Sequence, residues 1–214
     1  MACCSADKCA SSNAATGRYR NVLWIVLGIN AAMFLVEIVA GLVAGSAALQ
    51  ADALDFFADA ANYGISLFVL GLGARWRAAA ALVKGGSMGG FGLWVVGNLT
   101  WHALHDTVPS WGMMGAVGAA ALAANAACLV LLFAWRDGDA NMRSVWICSR
   151  NDVLANIAVV AAAAGVFGTG TGWPDIVVAA VMAALALQGA IVICRQARTE
   201  LRPAVRPTKR PATR

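Results

Sequence analysis

The feature that most constrains this chain is a succession of long apolar segments joined by short polar connections. Six such segments are present, at residues 22–44, 47–72, 78–101, 111–135, 145–167 and 176–194. Each is close to the roughly 20 residues that a helix needs to cross the hydrocarbon core of a bilayer. The segments are too long for barrel strands and show no two-residue alternation. The pattern therefore predicts an all-α integral membrane protein with six transmembrane helices.

Composition excludes the main soluble alternatives. Hydrophobic residues make up 60% of the chain and charged residues 13%, against roughly 45–50% and 25% in soluble domains. The mean hydropathy is +0.69. A disordered chain, a coiled coil, a collagen-like fibre and an ordinary soluble enzyme are all incompatible with these values.

The distribution of basic residues predicts the orientation. We assign all 16 lysines and arginines to the two tails, to the second and fourth connections or to the start of the fifth segment. This assignment counts Lys84, near the start of the third segment, with the second connection. With six spans these regions share one side of the membrane, which the positive-inside rule assigns to the cytoplasm. The sequence thus predicts a multi-pass protein of the cell membrane with both termini cytoplasmic. The basic tail is interpreted as an orientation signal with weak lipid contact, not as a nucleic-acid site.

Three regions follow from this layout. Residues 1–21 form a cytoplasmic tail that contains cysteines, residues 22–194 form the six-helix transmembrane domain, and residues 195–214 form a basic tail predicted to be disordered. In the first tail, Cys3, Cys4 and Cys9 should be reduced thiols, and they are candidates for capturing a soft metal ion. Incidental or lipidated thiols explain the same cluster equally well.

Five acidic residues interrupt the apolar segments: Glu37, Asp52, Asp55, Asp59 and Asp152. A charge near the bilayer centre costs about 2.5–3.5 kcal/mol, so several in one helix persist only beside partners or a polar cavity, and usually for function. A 3-4-3 spacing places four polar side chains on one stripe of the second helix: Asp52, Asp55, Asp59 and Asn62. On the fifth helix, Asp152 and Asn156 share a face.

Carboxylates one turn apart on two membrane helices indicate a divalent cation site in the bundle interior. The predicted ligands are Asp55, Asp59, Asp152 and Asn156. The candidates for supporting or proton-relay roles are Asp52, Glu37 and Asn62. Crowded carboxylates should hold protons when no ion is bound, and a metal ion expels those protons. Such competition is the physical basis of a metal/proton antiporter. A buried cluster that only locks helices together is the alternative, although amides or hydroxyls would do this at lower cost.

Residues 45–59 carry a more specific pattern. A Gly-Ser and Leu-containing lead runs into Ala-Asp-Ala at Asp52, and two acids separated by three residues follow at Asp55 and Asp59. This stretch resembles the cation diffusion facilitator (cation efflux) transporters, as do the pair Asp152 and Asn156 and the Trp-Pro-Asp lead into the sixth segment. The resemblance implies export of zinc, cadmium, cobalt, iron or manganese from the cytoplasm in exchange for protons. It implies metal and protons as substrates, no permanently bound cofactor and no enzymatic activity.

Two departures from the family pattern bear on this expectation. Asn156 stands where the family usually has a carboxylate. The predicted ligands are then three carboxylates and an amide, an all-oxygen set without histidine, which weakens the case for zinc or cadmium and favours manganese, iron or cobalt. The roughly 20 residues after Cys194 are too few and too polar for the family's folded cytoplasmic domain, which suggests a short form. A homodimer is a candidate assembly, and the pairs Gly85/Gly89 and Gly86/Gly90 would permit close helix approach within the bundle or at a dimer seam.

Three other functions stay open from the sequence. A proton-coupled organic-cation (multidrug) carrier also uses membrane carboxylates, but it would be expected to place a lone acid among aromatic residues. An intramembrane aspartyl protease also uses two membrane aspartates, but its Gly-x-Gly-Asp signature is absent from the helical segments. A membrane metal sensor or scaffold would rely on the cysteine tail. The stacked acids favour the metal transporter over these three.

Overall fold

The computed structural model describes residues 6–68, 74–137 and 140–201. Over these ranges the chain forms helices and no strand, so the all-α prediction is confirmed. The helices are α1 (Ala6–Ala44), α2 (Ala47–Phe68), α3 (Ala74–Leu104), α4 (Trp111–Leu132), α5 (Ala140–Thr169) and α6 (Trp173–Leu201), and a 3₁₀ turn at Phe133–Trp135 follows α4.

Several helices extend beyond the predicted spans at their basic ends. The last helix continues to Leu201, so residues 195–201 are helical and not part of a disordered tail. Ala197 on this extension is buried, which shows that the end of α6 still packs against the bundle. Hydropathy marks the length of helix that a bilayer would cover, whereas arginine and alanine continue a helix well beyond that length.

The helices run alternately up and down. At one end of the bundle the Ser110 amide donates to the Ala44 carbonyl oxygen at 2.9 Å, and Asp175 at the start of α6 accepts hydrogen bonds from the first turn of α2. We call this the connection end, because the loops after α1, α3 and α5 meet there. At the opposite end the Tyr19 ring lies 5.5 Å from the Trp135 ring, which joins the start of α1 to the end of α4. Between the two ends, α2 packs against α1, α3, α5 and α6.

Within the described residues, five helices are long and apolar enough to cross a membrane: Gly17–Ala44, Ala78–Leu104, Trp111–Trp135, Ser149–Thr169 and Trp173–Thr199. The helix outside this set is α2, which is 22 residues long and carries three aspartates in its interior. Five of the six predicted spans are thus supported by length and composition. The sixth span and the cytoplasmic position of the termini stay predictions.

The outer surface of the bundle is apolar along its length. On α1, Leu35, Val39 and Val43 are largely exposed, as are Val130 on α4 and Leu154 on α5. Contiguous exposed apolar surface of this kind marks contact with lipid or another apolar partner. Most of the described basic residues lie toward the end opposite the connection end, which we call the basic end: Arg18, Arg20, Arg75, Arg136, Arg150, Arg195 and Arg198. The protein is a helical membrane protein.

Candidate cation site

Three carboxyl groups meet inside the bundle. Asp59 on α2 and Asp152 on α5 are both buried, and Asp55 on α2 is partly buried. The carboxyl group of Asp152 lies close to those of Asp55 and Asp59. We call these three residues the acid cluster. Helical periodicity explains the arrangement, because a four-residue spacing puts Asp55 and Asp59 one turn apart on the face of α2 that meets α5.

The acid cluster suits shared protons. Neighbouring negative charges repel one another strongly where water is scarce, so carboxyl groups this close together are more stable when they share protons. No group of three or more His, Cys, Asp or Glu within the described ranges has side chains drawn together tightly enough to hold a metal ion as it stands. Binding of a cation would therefore require these carboxylates to turn toward a common point and to release their protons.

A tyrosine that the sequence analysis missed orients one of these acids. The Tyr63 hydroxyl donates to Asp59 Oδ2 at 3.1 Å and lies 3.4 Å from Ser149 Oγ. Tyr63 follows Asp59 by four residues, and Ser149 precedes Asp152 by three, so both reach the site from the same helix faces as the acids. The spacing of Tyr63 from Asp59 was the signal that could have identified it.

Asp52 belongs to a second cluster toward the connection end. Asn156 donates through Nδ2 to both carboxylate oxygens of Asp52, at 2.7 and 2.8 Å, and its Oδ1 accepts from Asn125 Nδ2 at 3.1 Å. The carboxyl group of Glu37 lies near that of Asp52, and neither of its oxygens has a hydrogen-bond partner among the described residues. We call these four residues the amide cluster, and all of them are buried.

The four predicted ligands thus divide between the two clusters. Asp55, Asp59 and Asp152 form the acid cluster, whereas both polar atoms of the Asn156 side chain are engaged in the amide cluster. An amide suits this position because it donates to a carboxylate and still accepts from a neighbour. Asn156 therefore connects α5 to α2 and to α4.

A cavity of about 240 Å³ adjoins the acid cluster. Its lining includes Asp55, Asp152 and Asn151 together with Met88 on α3 and Met182 on α6. The cavity is several times the roughly 30 Å³ that one water molecule occupies in the liquid, so it has room for a partly hydrated ion. The two thioether sulfurs were not foreseen, because methionine in an apolar segment usually packs as a hydrophobic side chain.

Lys84 corrects one prediction. It lies in α3 and not in the second connection, and only 8% of its surface is exposed. Its Nζ donates to Asn62 Oδ1 at 2.5 Å, and its charge acts on Asp55 and Asp59. Placing a charged lysine inside an apolar segment costs free energy, and for this reason the sequence analysis assigned Lys84 to the connection before the third segment. The polar partners on α2 offset that cost, and Asn62 is engaged with Lys84.

At the connection end, Asp175 fixes the start of α2. Its Oδ1 accepts from the Ser46 hydroxyl at 2.6 Å and from the Ala48 amide at 3.0 Å, and its Oδ2 accepts from the Ala47 amide at 2.8 Å. A carboxylate satisfies the unpaired N–H groups of a helix N-terminus and interacts favourably with the helix dipole. The register of the acidic stripe relative to α6 is therefore anchored by this contact.

Two of the three cysteines in the N-terminal cluster lie outside the residues that the structure describes. Cys3 and Cys4 fall outside the described residues, and Cys9 belongs to the first turns of α1. Metal capture by these thiols stays a prediction.

Comparison with known families agrees with the architecture. Residues 23–202 match the model of the cation efflux transmembrane domain, a range that includes both clusters and Asp175. No curated protein matches the chain. The cation efflux family consists of transporters and not of enzymes, which disfavours the protease alternative. The chain belongs to the cation efflux family and is a membrane cation transporter.

Proposed function

We propose that the protein exports a divalent transition-metal ion from the cytoplasm in exchange for protons. The observation that carries the proposal is the closeness of three carboxyl groups from α2 and α5 to one another, beside a cavity large enough for an ion. Carboxylate oxygens are suitable ligands for divalent cations. The proposed ligands are Asp55, Asp59 and Asp152, and Asn156 is proposed as a fourth because its carbonyl oxygen keeps a second lone pair.

Exchange follows from competition for the same oxygens. Without the ion, neighbouring carboxyl groups in a poorly solvated site share protons, because several adjacent negative charges repel one another. A divalent cation binds only the deprotonated ligands, so its arrival releases protons and its departure takes them up again. Alternating exposure of the acid cluster to the two sides of the membrane would turn this competition into antiport.

The amide cluster is proposed to support proton movement. Asp52 lies about one helical turn from Asp55 in the direction of the connection end, and Glu37 is its carboxyl neighbour. Under the predicted orientation that end faces outward. Protons that enter from outside would therefore meet Glu37 and Asp52 before they reach the acid cluster.

The chemistry of the donors limits the choice of metal. Three carboxylates and an amide favour manganese, iron or cobalt. Met88 and Met182 line the cavity, and methionine, as a soft ligand, favours a softer ion such as cadmium or zinc. The proposed substrate is one of these five ions.

The decisive experiment measures metal movement in proteoliposomes with an imposed proton gradient. The full chain is compared with Asp55→Asn, and Asp106→Asn is the matched control because Asp106 is exposed and has a positive φ that asparagine tolerates. We expect gradient-dependent movement of at least one of the five ions, reduced at least about tenfold (1.4 kcal/mol) in Asp55→Asn and unchanged in Asp106→Asn. Metal movement that ignores both the proton gradient and Asp55 would contradict the proposal.

A further inference from the structure

A buried lysine is the feature of this bundle that the proposed exchange mechanism does not use. Lys84 lies within the apolar span Ala78–Leu104, where a charged side chain is disfavoured unless it has partners. A lysine that only marks orientation would extend its ammonium group to the membrane surface. Lys84 instead has 8% of its surface exposed and donates to Asn62 Oδ1 on α2 at 2.5 Å.

The position of Lys84 relates it to the acid cluster. Asn62 lies about one turn beyond Asp59 on α2, so the ammonium group is held on the basic-end side of the acids. Its positive charge is therefore close enough to attract the carboxylates of Asp55 and Asp59. Lys84 and Asn62 also line a separate cavity of about 200 Å³ between α2, α3 and α6. Lys84 thus lies between this cavity and the carboxylates of the acid cluster.

A fixed positive charge at this position has opposite effects on the two forms of the site. It stabilises carboxylates that carry no ion, because opposite charges attract strongly where water is scarce. It repels an arriving divalent cation for the same reason. The net effect is a lower affinity for the metal and a lower barrier to its release.

We propose that Lys84 is the internal counter-cation of the acid cluster and sets how tightly the transported dication is held. This inference rests on the proposed metal transport at Asp55, Asp59 and Asp152. Lys84 is a positioning residue in this scheme, since it acts on the ion through its charge and does not ligate it. An exporter needs such a device, because a site of several carboxylates that binds a dication too tightly would release it too slowly.

The test separates binding from turnover. Lys84→Met removes the charge and keeps much of the side-chain volume, Lys84→Arg keeps the charge, and Arg75→Met removes an exposed charge near the start of the same helix as a control. Uptake of Mn²⁺ and Cd²⁺ is measured in proteoliposomes, and binding of the same ions to the full chain in detergent is measured by calorimetry. In Lys84→Met we expect KM and kcat to fall together and the Kd to fall at least about tenfold (1.4 kcal/mol). Lys84→Arg should stay close to wild type, and Arg75→Met should not differ from it.

A second variant keeps the test valid if Lys84→Met does not fold. Asn62→Asp would pair a carboxylate with the ammonium group and neutralise its field, and we expect tighter ion binding there than in Asn62→Ser. Unchanged Kd and KM in these variants, or Lys84→Arg behaving like Lys84→Met, would overturn the role of Lys84. Wild-type protein that moves neither ion would instead contradict the proposed function, so the two failures are distinguishable.

Discussion

Asn156 has a structural role in this bundle that the family motif does not predict. The position is one of the predicted ligands, and the cation diffusion facilitator pattern usually has a carboxylate there. In this bundle the amide gives both oxygens of Asp52 a donor, which a carboxylate at the same position would not do. The choice of asparagine is explained by the buried acid across the helix interface, because a buried carboxylate needs hydrogen-bond donors.

Replacing Asn156 by the carboxylate typical of the family should therefore harm this protein. Asn156→Asp removes the donor to Asp52 and places a third carboxyl group beside Asp52 and Glu37. We expect the free energy of unfolding to fall by about 1–3 kcal/mol, read as a lower thermal unfolding midpoint in detergent. Asn151→Asp is the control, because Asn151 is on the same helix but exposed. Equal stability of the two variants would show that the amide is not needed by Asp52.

At the scale of residues, periodicity predicted which side chains share a face of one helix. The stripe of Asp52, Asp55 and Asp59 and the pair Asp152 and Asn156 follow from 3.6 residues per turn alone. Partners across helices depend on how each helix is rotated and tilted, which periodicity does not define. For this reason the contact of Asn156 with Asp52 and the burial of Lys84 were not predictable.

At the scale of elements, the glycines of α3 divide by face. A Cβ at Gly85 would lie 2.7 Å from Cys194 Sγ and 3.3 Å from the Ala190 carbonyl oxygen, whereas a Cβ at Gly86 would meet nothing within 4 Å. Of the two predicted uses for these glycines, Gly85 serves packing of α3 on α6. A Cβ at Gly86 or Gly90 would meet nothing within 4 Å. A second copy of the chain could therefore pack against this face of α3 in a dimer.

Alanine substitutions at Gly85 and Gly86 should have different effects on the free energy of unfolding. Gly85→Ala should lower the free energy of unfolding by about 1–3 kcal/mol through overpacking. Gly86→Ala should leave it unchanged or raise it by up to about 1 kcal/mol, because alanine is the better helix former. Thermal unfolding in detergent measures both, and chemical cross-linking of each variant reports the dimer. A loss of cross-linked dimer in Gly86→Ala alone would place the seam on this face, and equal destabilisation of both variants would contradict the division.

The contact of Asp175 with α2 makes a separate prediction. Asp175→Asn replaces one acceptor oxygen by an NH₂ group, which then faces either the N–H group of Ala47 or that of Ala48. We expect these two amides to exchange hydrogen faster and the free energy of unfolding to fall by about 1–2 kcal/mol, as for loss of a helix cap. Hydrogen exchange followed by mass spectrometry on the peptide that contains the start of α2 measures this. Asp106→Asn should leave that peptide unchanged, and the same exchange rate in both variants would count against the anchoring role.

Helix ends were harder to predict than helix centres. The apolar segments located every helix, but α3 begins at Ala74 and α6 continues to Leu201. The signals that end a helix in water are capping residues and glycine, and the basic ends of these helices carry few of them. Composition therefore predicted the part of each helix that a membrane would cover, whereas tertiary packing determined the full length of the helix.

At the scale of the whole molecule, α2 is the element on which topology depends. It carries three aspartates in its interior and is the one α-helix of the described ranges that is not among the five candidate membrane spans. It nevertheless begins at the connection end with α6 and packs against α1, α3, α5 and α6. Neighbouring helices, not lipid, surround its acids, so the cost of a charge in hydrocarbon does not apply to them in full.

A topology with six membrane spans and one with five place the loops on different sides of the membrane. If α2 crosses the membrane, position 18 before the first span and position 137 after α4 are on the same side, and position 106 after α3 is on the other. If α2 does not cross, positions 18 and 137 are on opposite sides. All three residues are exposed, so single cysteines there (Arg18→Cys, Asp106→Cys and Asp137→Cys) should be accessible in a chain whose six native cysteines are replaced.

Labelling with a membrane-impermeant maleimide distinguishes the two cases. In intact cells we expect position 106 to react and positions 18 and 137 to react only after the membrane is opened, because the basic residues beside them favour the cytoplasm. Inverted membrane vesicles should give the reverse pattern. Reaction of only one of positions 18 and 137 in intact cells would mean that α2 does not span the membrane. The acid cluster would then lie at a membrane surface, where its carboxylates are hydrated and could not hold a dication and protons in alternation between two compartments.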